Sequence, residues 1–325
     1  MERIITYSPA YTLVPTYECF NRCTYCNFRV DPGQDEWLAL ESAKETLTAL
    51  QSQNVIEILI LSGEVHPHHA RRPAWFQRIY DLCKLALEMG FLPHTNAGPL
   101  SMEEMRQLRE VNVSMGLMVE QMTPALAQTV HTNAPSKQPA VRLQQLNQAG
   151  ELNIPFTTGL LLGLGESEAD WQDSLTVIAR SHAQYGHIQE VILQPHQPGH
   201  RQAQTRPPCH GETLANAITL AKDILPKDIT LQIPPNLIRS DDALIKCLQL
   251  GANDLGGIGP VDEANPDYTH RPHVDMVAYL LTHHYSLHAR LPVYPKYDSW
   301  LPQKLKIAVQ QWRQKLQQNA VKTPT

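Results

Sequence analysis

No stretch of this 325-residue chain stays apolar for the ~18–20 residues that a bilayer-spanning helix needs. Its first residues, Met1-Glu2-Arg3-Ile4-Ile5-Thr6, lack the charged-then-apolar order of an export signal. Positive charge is not in excess either. The formal net charge is −5, so the chain has no basic surface to offer a polyanion, and electrostatically driven nucleic-acid binding is excluded. Charged residues make up 18% against 42% hydrophobic, which excludes wholesale disorder. No repeat, low-complexity tract or convincing linker divides the chain. The expectation is a cytoplasmic protein with neither membrane nor nucleic-acid partner, folded as a single domain over residues 1–320 with a frayed tail at 321–325.

What is present is an alternation of short apolar runs with longer stretches of helical period. The runs predict strands at Leu13–Thr16, Glu57–Ser62, Leu92–Asn96, Val113–Val119, Phe156–Leu162, Glu190–Gln194, Thr230–Ile233 and Asp254–Gly256. They are short and often β-branched, as parallel strands buried on both faces are. Asp35 is placed to cap a helix carrying Trp37, Leu40, Ala43, Leu47 and Leu50 on one stripe. Ser136 is placed to cap one that carries Leu143, Leu146 and Ala149 and stops at Gly150. Ser101, followed by Glu103 and Glu104, opens a third. Eight strands alternating with helices predict a TIM-type (β/α)8 barrel with its chemistry at the C-terminal ends of the strands. The Pro-, Gln- and His-rich residues 195–208 read as a long loop at that end.

Cysteine is scarce, at six residues, and unevenly spread. Cys19, Cys23 and Cys26 lie within eight residues, just after the first expected strand. Cys83 and Cys247 fall on helices and read as small core residues, and Cys209 reads as an exposed loop thiol. Three thiolates in one loop can converge on a metal centre. A structural zinc site takes four protein ligands, so here it needs a distant His. A 4Fe–4S cluster takes three thiolates and leaves one iron open to a small molecule. Three unrelated buried cysteines are the bland alternative. His66, His68 and His69 crowd one loop, but a proline-containing histidine loop reads as solvated.

The spacing Cys19-Phe-Asn-Arg-Cys23-Thr-Tyr-Cys26 resembles the signature loop of the radical S-adenosylmethionine (SAM) enzymes. Ser62-Gly63-Glu64 resembles their Gly-Gly-Glu element, with Ser for the first Gly. Gly159-Leu-Leu-Leu-Gly163-Leu-Gly-Glu166 resembles their glycine-rich fifth strand. Within that superfamily, Leu92-Pro-His-Thr-Asn96, Ser114-Met-Gly-Leu-Met-Val-Glu120, Ala134-Pro-Ser-Lys137, Ile154-Pro-Phe-Thr-Thr-Gly159, His187-Ile-Gln-Glu-Val191 and Leu291-Pro-Val-Tyr-Pro295 resemble the 7,8-didemethyl-8-hydroxy-5-deazariboflavin (FO) synthases. More closely, they resemble the subunit that closes the deazaflavin ring. The likeness runs from about Tyr7 to about Trp300. It departs at Gln194-Pro195-His196, where the family reads Gln-Asn-Phe.

That resemblance implies a fold, two cofactors and a set of roles. Cys19, Cys23 and Cys26 hold one 4Fe–4S cluster, and SAM chelates its open iron. Glu64 answers the amino group of SAM, with a solvated loop carboxylate as the bland alternative. Tyr25 stands beside the adenine or packs over the cluster. Gly159 and Gly163 let backbone and ligand approach closely. Glu166 either fixes its turn or touches the ligand, and Glu120 either binds SAM or makes a structural ion pair. The implied substrate carries a dihydrouracil ring, a ribityl chain and a 4-hydroxybenzyl group, which call for neutral polar partners. Asn96, Gln194, Asn236 and Asp254 are the candidates, each with a loop-stabilising hydrogen bond as its alternative. His94 and His196 are candidates for proton transfer, with a buried, satisfied histidine the weightier reading of His94. The reaction implied is a radical SAM ammonia-lyase step, with a flavodoxin- or ferredoxin-type one-electron reductant and a partner enzyme acting on tyrosine. Alternatives are the partner's own reaction and a non-catalytic iron–sulfur or zinc protein on the same scaffold.

Overall fold

The structure is a computed structural model that describes residues 3–238, 240–261, 263 and 273–322. Seven strands follow in chain order, all parallel: β2 (Glu57–Leu61), β3 (Leu92–Asn96), β4 (Ser114–Gly116), β5 (Phe156–Leu162), β6 (Ile188–Pro195), β7 (Thr230–Gln232) and β8 (Asp254–Ile258). β1 (Arg3–Leu13) pairs with both β2 and β8 and so closes an eight-stranded barrel. Every residue of β5 is buried, because a barrel strand has helices outside it and the barrel interior inside. The helices are α1 (Leu40–Leu50), α2 (Arg72–Glu88), α3 (Met102–Arg109), α4 (Pro139–Glu151), α5 (Glu168–Tyr185), α6 (Gly211–Ile224), α7 (Asp241–Leu250), α8 (His273–Thr282) and α9 (Gln303–Lys322).

The first strand is not where its apolar run placed it. β1 ends at Leu13, where the expected strand began. Pro9 interrupts the sequence pattern, yet β1 accepts it because the pairing with β8 shifts register between Thr6 and Ser8. A ninth strand, β9 (Tyr285–Ala289), was not expected. It lies against Arg3–Tyr7, and its half-exposed, polar sequence carries no buried-strand signal. Beyond it, Leu291, Val293, Tyr297, Leu301, Leu305 and Val309 pack on Ile56, Leu92 and Val113, close to the starts of β2, β3 and β4. The C-terminal segment thus seals the end of the barrel opposite the expected site.

Two of the three caps are corrected. Ser101 does form a capping box with Glu104. Asp35 instead accepts from the Thr16 hydroxyl at 2.8 Å and the Tyr17 amide at 2.7 Å, and α1 starts at Leu40 with no side-chain cap. Ser136 sits in a 3-10 turn, Pro135–Lys137, and α4 starts three residues later. Asp35 was drawn away by loop contacts that only the fold creates, whereas the Ser136 hydroxyl is buried without a hydrogen-bond partner. At the other end of the chain, α9 reaches Lys322, two residues into the segment expected to fray; residues 323–325 lie outside the described residues.

Candidate active site

The loop after β1 is pinned along its backbone. Cys19 N–H donates to Val30 O, Phe20 N–H to Glu64 O, Arg22 N–H to Asn133 O and Thr24 N–H to Val130 O. This loop therefore rests on the ends of β2 and of the segment after β4. Gly63 is obligatory here, since a Cβ on it would stand 2.1 Å from Glu18 O. The Ser that replaces the family's Gly is also accounted for: the Ser62 hydroxyl accepts from Trp75 Nε1 at 3.1 Å.

All six cysteines are free thiols. Burial, foremost, pushes Cys19 up to about 11 and Cys23 up to about 12. Thiols raised this far stay protonated at neutral pH until a metal displaces the proton. Among the described residues no three His, Cys, Asp or Glu side chains converge as a single metal ion requires. A cube of four irons takes its thiolates at separate corners, so the three-thiol loop fits a cluster better than one zinc ion. The Asn21 amide, 3.7 Å from Cys19 Sγ, is a donor already aimed at the sulfur.

Around this loop stand two acids and two bases. Glu64 accepts from Asn21 Nδ2 at 2.9 Å and faces Arg142 Nη2 at 3.5 Å. Glu120 is ion-paired with Lys137. Burial raises Glu120, but Lys137 and Arg142 outweigh it and hold the carboxyl below its usual range. Its φ of +65° is rare for a residue with a side chain, and such strain gathers at functional positions. Arg142 comes from α4, fully buried, and also donates to Ser136 O and Met118 O. Tyr25 meets His131 Nε2 at 3.0 Å and packs on Leu126, Val130, Leu161 and Leu164. Asn21, His131, Lys137 and Arg142 escaped the sequence reading as site residues. Lys137 lay inside a family-like segment and Asn21 inside the cysteine motif, while His131 and Arg142 carried no signal.

Several expected ligand contacts are occupied by the protein itself. A Cβ on Gly159 would stand 2.1 Å from Ile192 O, so that glycine admits the neighbouring strand rather than a ligand. Gly163 has φ +91° and abuts Cys209, which is buried rather than exposed. Glu166 accepts from the amides of Gly163 at 2.6 Å and Leu164 at 2.7 Å and from Trp171 Nε1 at 3.1 Å, so its carboxylate fixes the turn. His196 is buried in the loop after β6, with Nδ1 at 3.2 Å from Pro207 O and Nε2 at 3.2 Å from Gln202. Both ring nitrogens are engaged in holding the loop, which removes it as a proton-transfer candidate. That altered loop docks on the cysteine loop, through Arg201 N–H to Asn27 Oδ1 at 2.8 Å and Gln204 N–H to Thr24 O at 3.1 Å.

Inside the barrel lies a cavity of about 220 Å3. His94, Asn96, Thr157, Gln232 and Asn236 supply neutral polar groups to its wall, and Glu57, Glu190 and Arg290 supply charged ones. Gln194 is not among its lining residues but stands two residues along β6 from Ile192, which is, on the same face by strand alternation. Asp254 is fully buried and accepts from Arg290 Nε and Nη2, Thr6 Oγ1 and the Gly256 amide. It positions Arg290 and has no face left for a substrate. His94 Nδ1 lies 2.7 Å from Ser114 Oγ, whose own proton goes to Pro292 O at 2.6 Å. The histidine must therefore donate from Nδ1, which leaves the Nε2 lone pair free. Burial, aided by Arg290, holds its pKa down to about 3.

The two buried groups give stability opposite pH dependences. Burial pushes Glu190 up to about 7 against the opposition of Arg290, from an ordinary 4.5. Its contribution is complete below pH 4.5 and is lost as pH rises through 7. His94 contributes fully above 6.5 and loses that contribution as pH falls toward 3. Glu190→Gln is therefore expected to flatten the decline of the urea midpoint between pH 4.5 and 7 while leaving the acid-side decline in place. An unchanged slope in that window would show that Glu190 ionises freely.

Residues 13–178 match the model of the radical SAM superfamily. A 7,8-didemethyl-8-hydroxy-5-deazariboflavin synthase from Nostoc sp. is 59% identical over 96% of this chain and 92% of its own length. The synthase of Trichodesmium erythraeum is 57% identical, covering 97% and 99%, and that of Gloeobacter violaceus 52%, covering 98% and 99%. Among solved structures, the FeFe-hydrogenase maturase HydG from Carboxydothermus hydrogenoformans superposes with a TM-score of 0.74 at 16% identity, over 99% of this chain and 79% of that one. Methylornithine synthase (PylB) superposes with a TM-score of 0.66 at 15%, over 92% and 86%. At such identities these two speak for the barrel alone.

Proposed function

This chain belongs to the radical SAM superfamily and, within it, to the FO synthases of deazaflavin biosynthesis, whose cofactors are a 4Fe–4S cluster and SAM; from that premise we propose that it performs the ring-closing step. Its substrate is 5-amino-5-(4-hydroxybenzyl)-6-(D-ribitylimino)-5,6-dihydrouracil, converted to FO with release of ammonia, which makes it a lyase. The observation that carries this reading is the cavity, where Asn96, Thr157, Gln232 and Asn236 offer neutral hydrogen bonds suited to a ribityl chain and a pyrimidine edge. Cys19, Cys23 and Cys26 hold the cluster. Glu64 and Glu120 answer the amino group of SAM, Lys137 and Arg142 its carboxylate, and Tyr25 its adenine. Bound there, cluster and SAM supply a carbon radical able to abstract hydrogen. The barrel's own part is to orient the substrate and keep water away. His94 accepts a hydrogen bond through Nε2. The chain acts as one domain over residues 1–320. A cytoplasmic location agrees with six free cysteines, and a flavodoxin or ferredoxin is the reductant. The tyrosine-acting enzyme is the partner that supplies the substrate.

Anaerobic incubation of reconstituted protein with SAM, reductant and the tyrosine-derived adduct is expected to yield a deazaflavin chromophore, ammonia and 5′-deoxyadenosine together. Deoxyadenosine formed at the same rate with and without adduct, and no chromophore, would remove the substrate assignment. Glu64→Gln is expected to keep the cluster and weaken SAM binding. Losing a charge-assisted hydrogen bond is worth ~1.5–3 kcal/mol, or roughly ten- to more than a hundredfold in affinity. Equilibrium dialysis with SAM measures it, and an unchanged dissociation constant takes Glu64 out of the site.

A further inference from the structure

The inner wall of the cavity holds more acid than base. Glu57 on β2, Glu190 on β6 and Asp254 on β8 surround a single guanidinium, Arg290. Asp254 binds that guanidinium through two nitrogens, and Glu190 pairs with it as well. Glu190 also accepts from Tyr294 OH at 3.0 Å and from Thr157 Oγ1 at 3.0 Å, so both of its oxygens are engaged. Glu57 is different. It is 8% exposed and lines the cavity, and the buried Ser8 hydroxyl near it makes no hydrogen bond of its own.

Asp254 and Glu190 already share the one cation, and burial raises Glu190 itself. A third negative charge beside them would be buried without compensation, which proteins avoid by keeping the group protonated. Burial is the foremost influence on Glu57 and raises it, Arg290 and Ser8 oppose, and Asp254 adds to the rise. The other titratable groups described at this wall are less free to exchange a proton with a ligand, since Asp254 and Tyr294 are spent on Arg290 and Glu190. His94 turns an unprotonated Nε2 to the cavity, Arg290 does not deprotonate in proteins, and the oxygens of Glu190 are engaged.

We propose that Glu57 is the catalytic acid–base residue of ammonia loss, protonating the departing amine and recovering a proton from the adjacent benzylic carbon. This rests on the ring-closing reading above. The step is a redox-neutral 1,2-elimination. The C–N bond breaks with its electron pair going to nitrogen, and the Glu57 O–H bond breaks to complete ammonia. The benzylic C–H bond breaks, its electron pair becomes the new C=C bond, and its proton restores the acid. Oxidation of the ring is separate and belongs to the SAM-dependent part of the reaction.

The test compares wild type with Glu57→Gln and Glu57→Asp, each reconstituted and given SAM, reductant and adduct. Glu57→Gln keeps a hydrogen-bond donor but has no proton to transfer. Its ammonia and chromophore are expected to fall ~100-fold or more, deoxyadenosine to fall far less, and Glu57→Asp to recover part of the ammonia. Infrared spectroscopy of the resting proteins at neutral pH supplies a reading independent of turnover. Wild type should show a deuterium-sensitive stretch of an un-ionised carboxyl that is missing from Glu57→Gln. Ammonia released by Glu57→Gln at the wild-type rate overturns the proposal, as does a spectrum in which no such band is lost. Failure of the ring-closing reading would look different, because wild type itself would then give neither ammonia nor chromophore from the adduct.

Discussion

Replacing any one of Cys19, Cys23 or Cys26 by alanine is expected to abolish assembly of the iron–sulfur cluster and, with it, all formation of 5′-deoxyadenosine. The loop carrying them is fixed by backbone hydrogen bonds to Glu64, Val130 and Asn133, so it cannot slide to bring another donor forward. No spare thiol is at hand either. Cys83 is fully buried on α2, 3.2 Å from the Thr95 hydroxyl. Cys209 is wedged against Gly163, and Cys247 is buried on α7. Cys83→Ala, Cys209→Ala and Cys247→Ala should therefore keep full iron and sulfide content. Chemical iron and sulfide analysis, with the visible absorbance of the cluster, decides the matter. Loss of iron on replacing Cys83 or Cys247 would mean that the three-thiol assignment is wrong.

Arg290→Met should cost the fold more than any other single change around the cavity. The guanidinium is the one cation among three carboxyl groups described at that wall, bound to Asp254 at 2.5 and 2.8 Å and to Glu190. Removing it strands buried carboxylates, and breaking a buried ion pair in this one-sided way costs about 3–5 kcal/mol. The urea midpoint at neutral pH should drop accordingly. Combining Arg290→Met with Asp254→Asn and Glu190→Gln should recover much of the loss, because neutral amides need no counter-charge. A single variant as stable as wild type would mean that the acids take up protons at little cost.

The cluster loop and the helix start at Ser101 could be read directly, because each is made by residues close together in the chain. Three cysteines within eight residues announce a metal centre before any fold is known, and the alternation of short apolar runs with helical stretches announces the barrel. Boundaries were less legible where a strand broke its own pattern, as β1 does at Pro9, or where its exposed residues hid it, as in β9. Asp35, Ser136, Glu166 and His196 were legible as polar residues in the right places, but not in their partners.

The chain by itself determined the family: cysteine spacing, the Ser62-Gly63-Glu64 element and the family-like segments lie within short windows. Only the tertiary structure decided which polar residues face the cavity and which are already occupied. Arg290 meets Asp254 across 36 residues, Tyr294 meets Glu190 across 104, and Thr6 meets Asp254 across 248. Local sequence cannot encode those distances. They follow from barrel closure, which brings the first strand beside the last and gathers three acids around one arginine at the cavity wall.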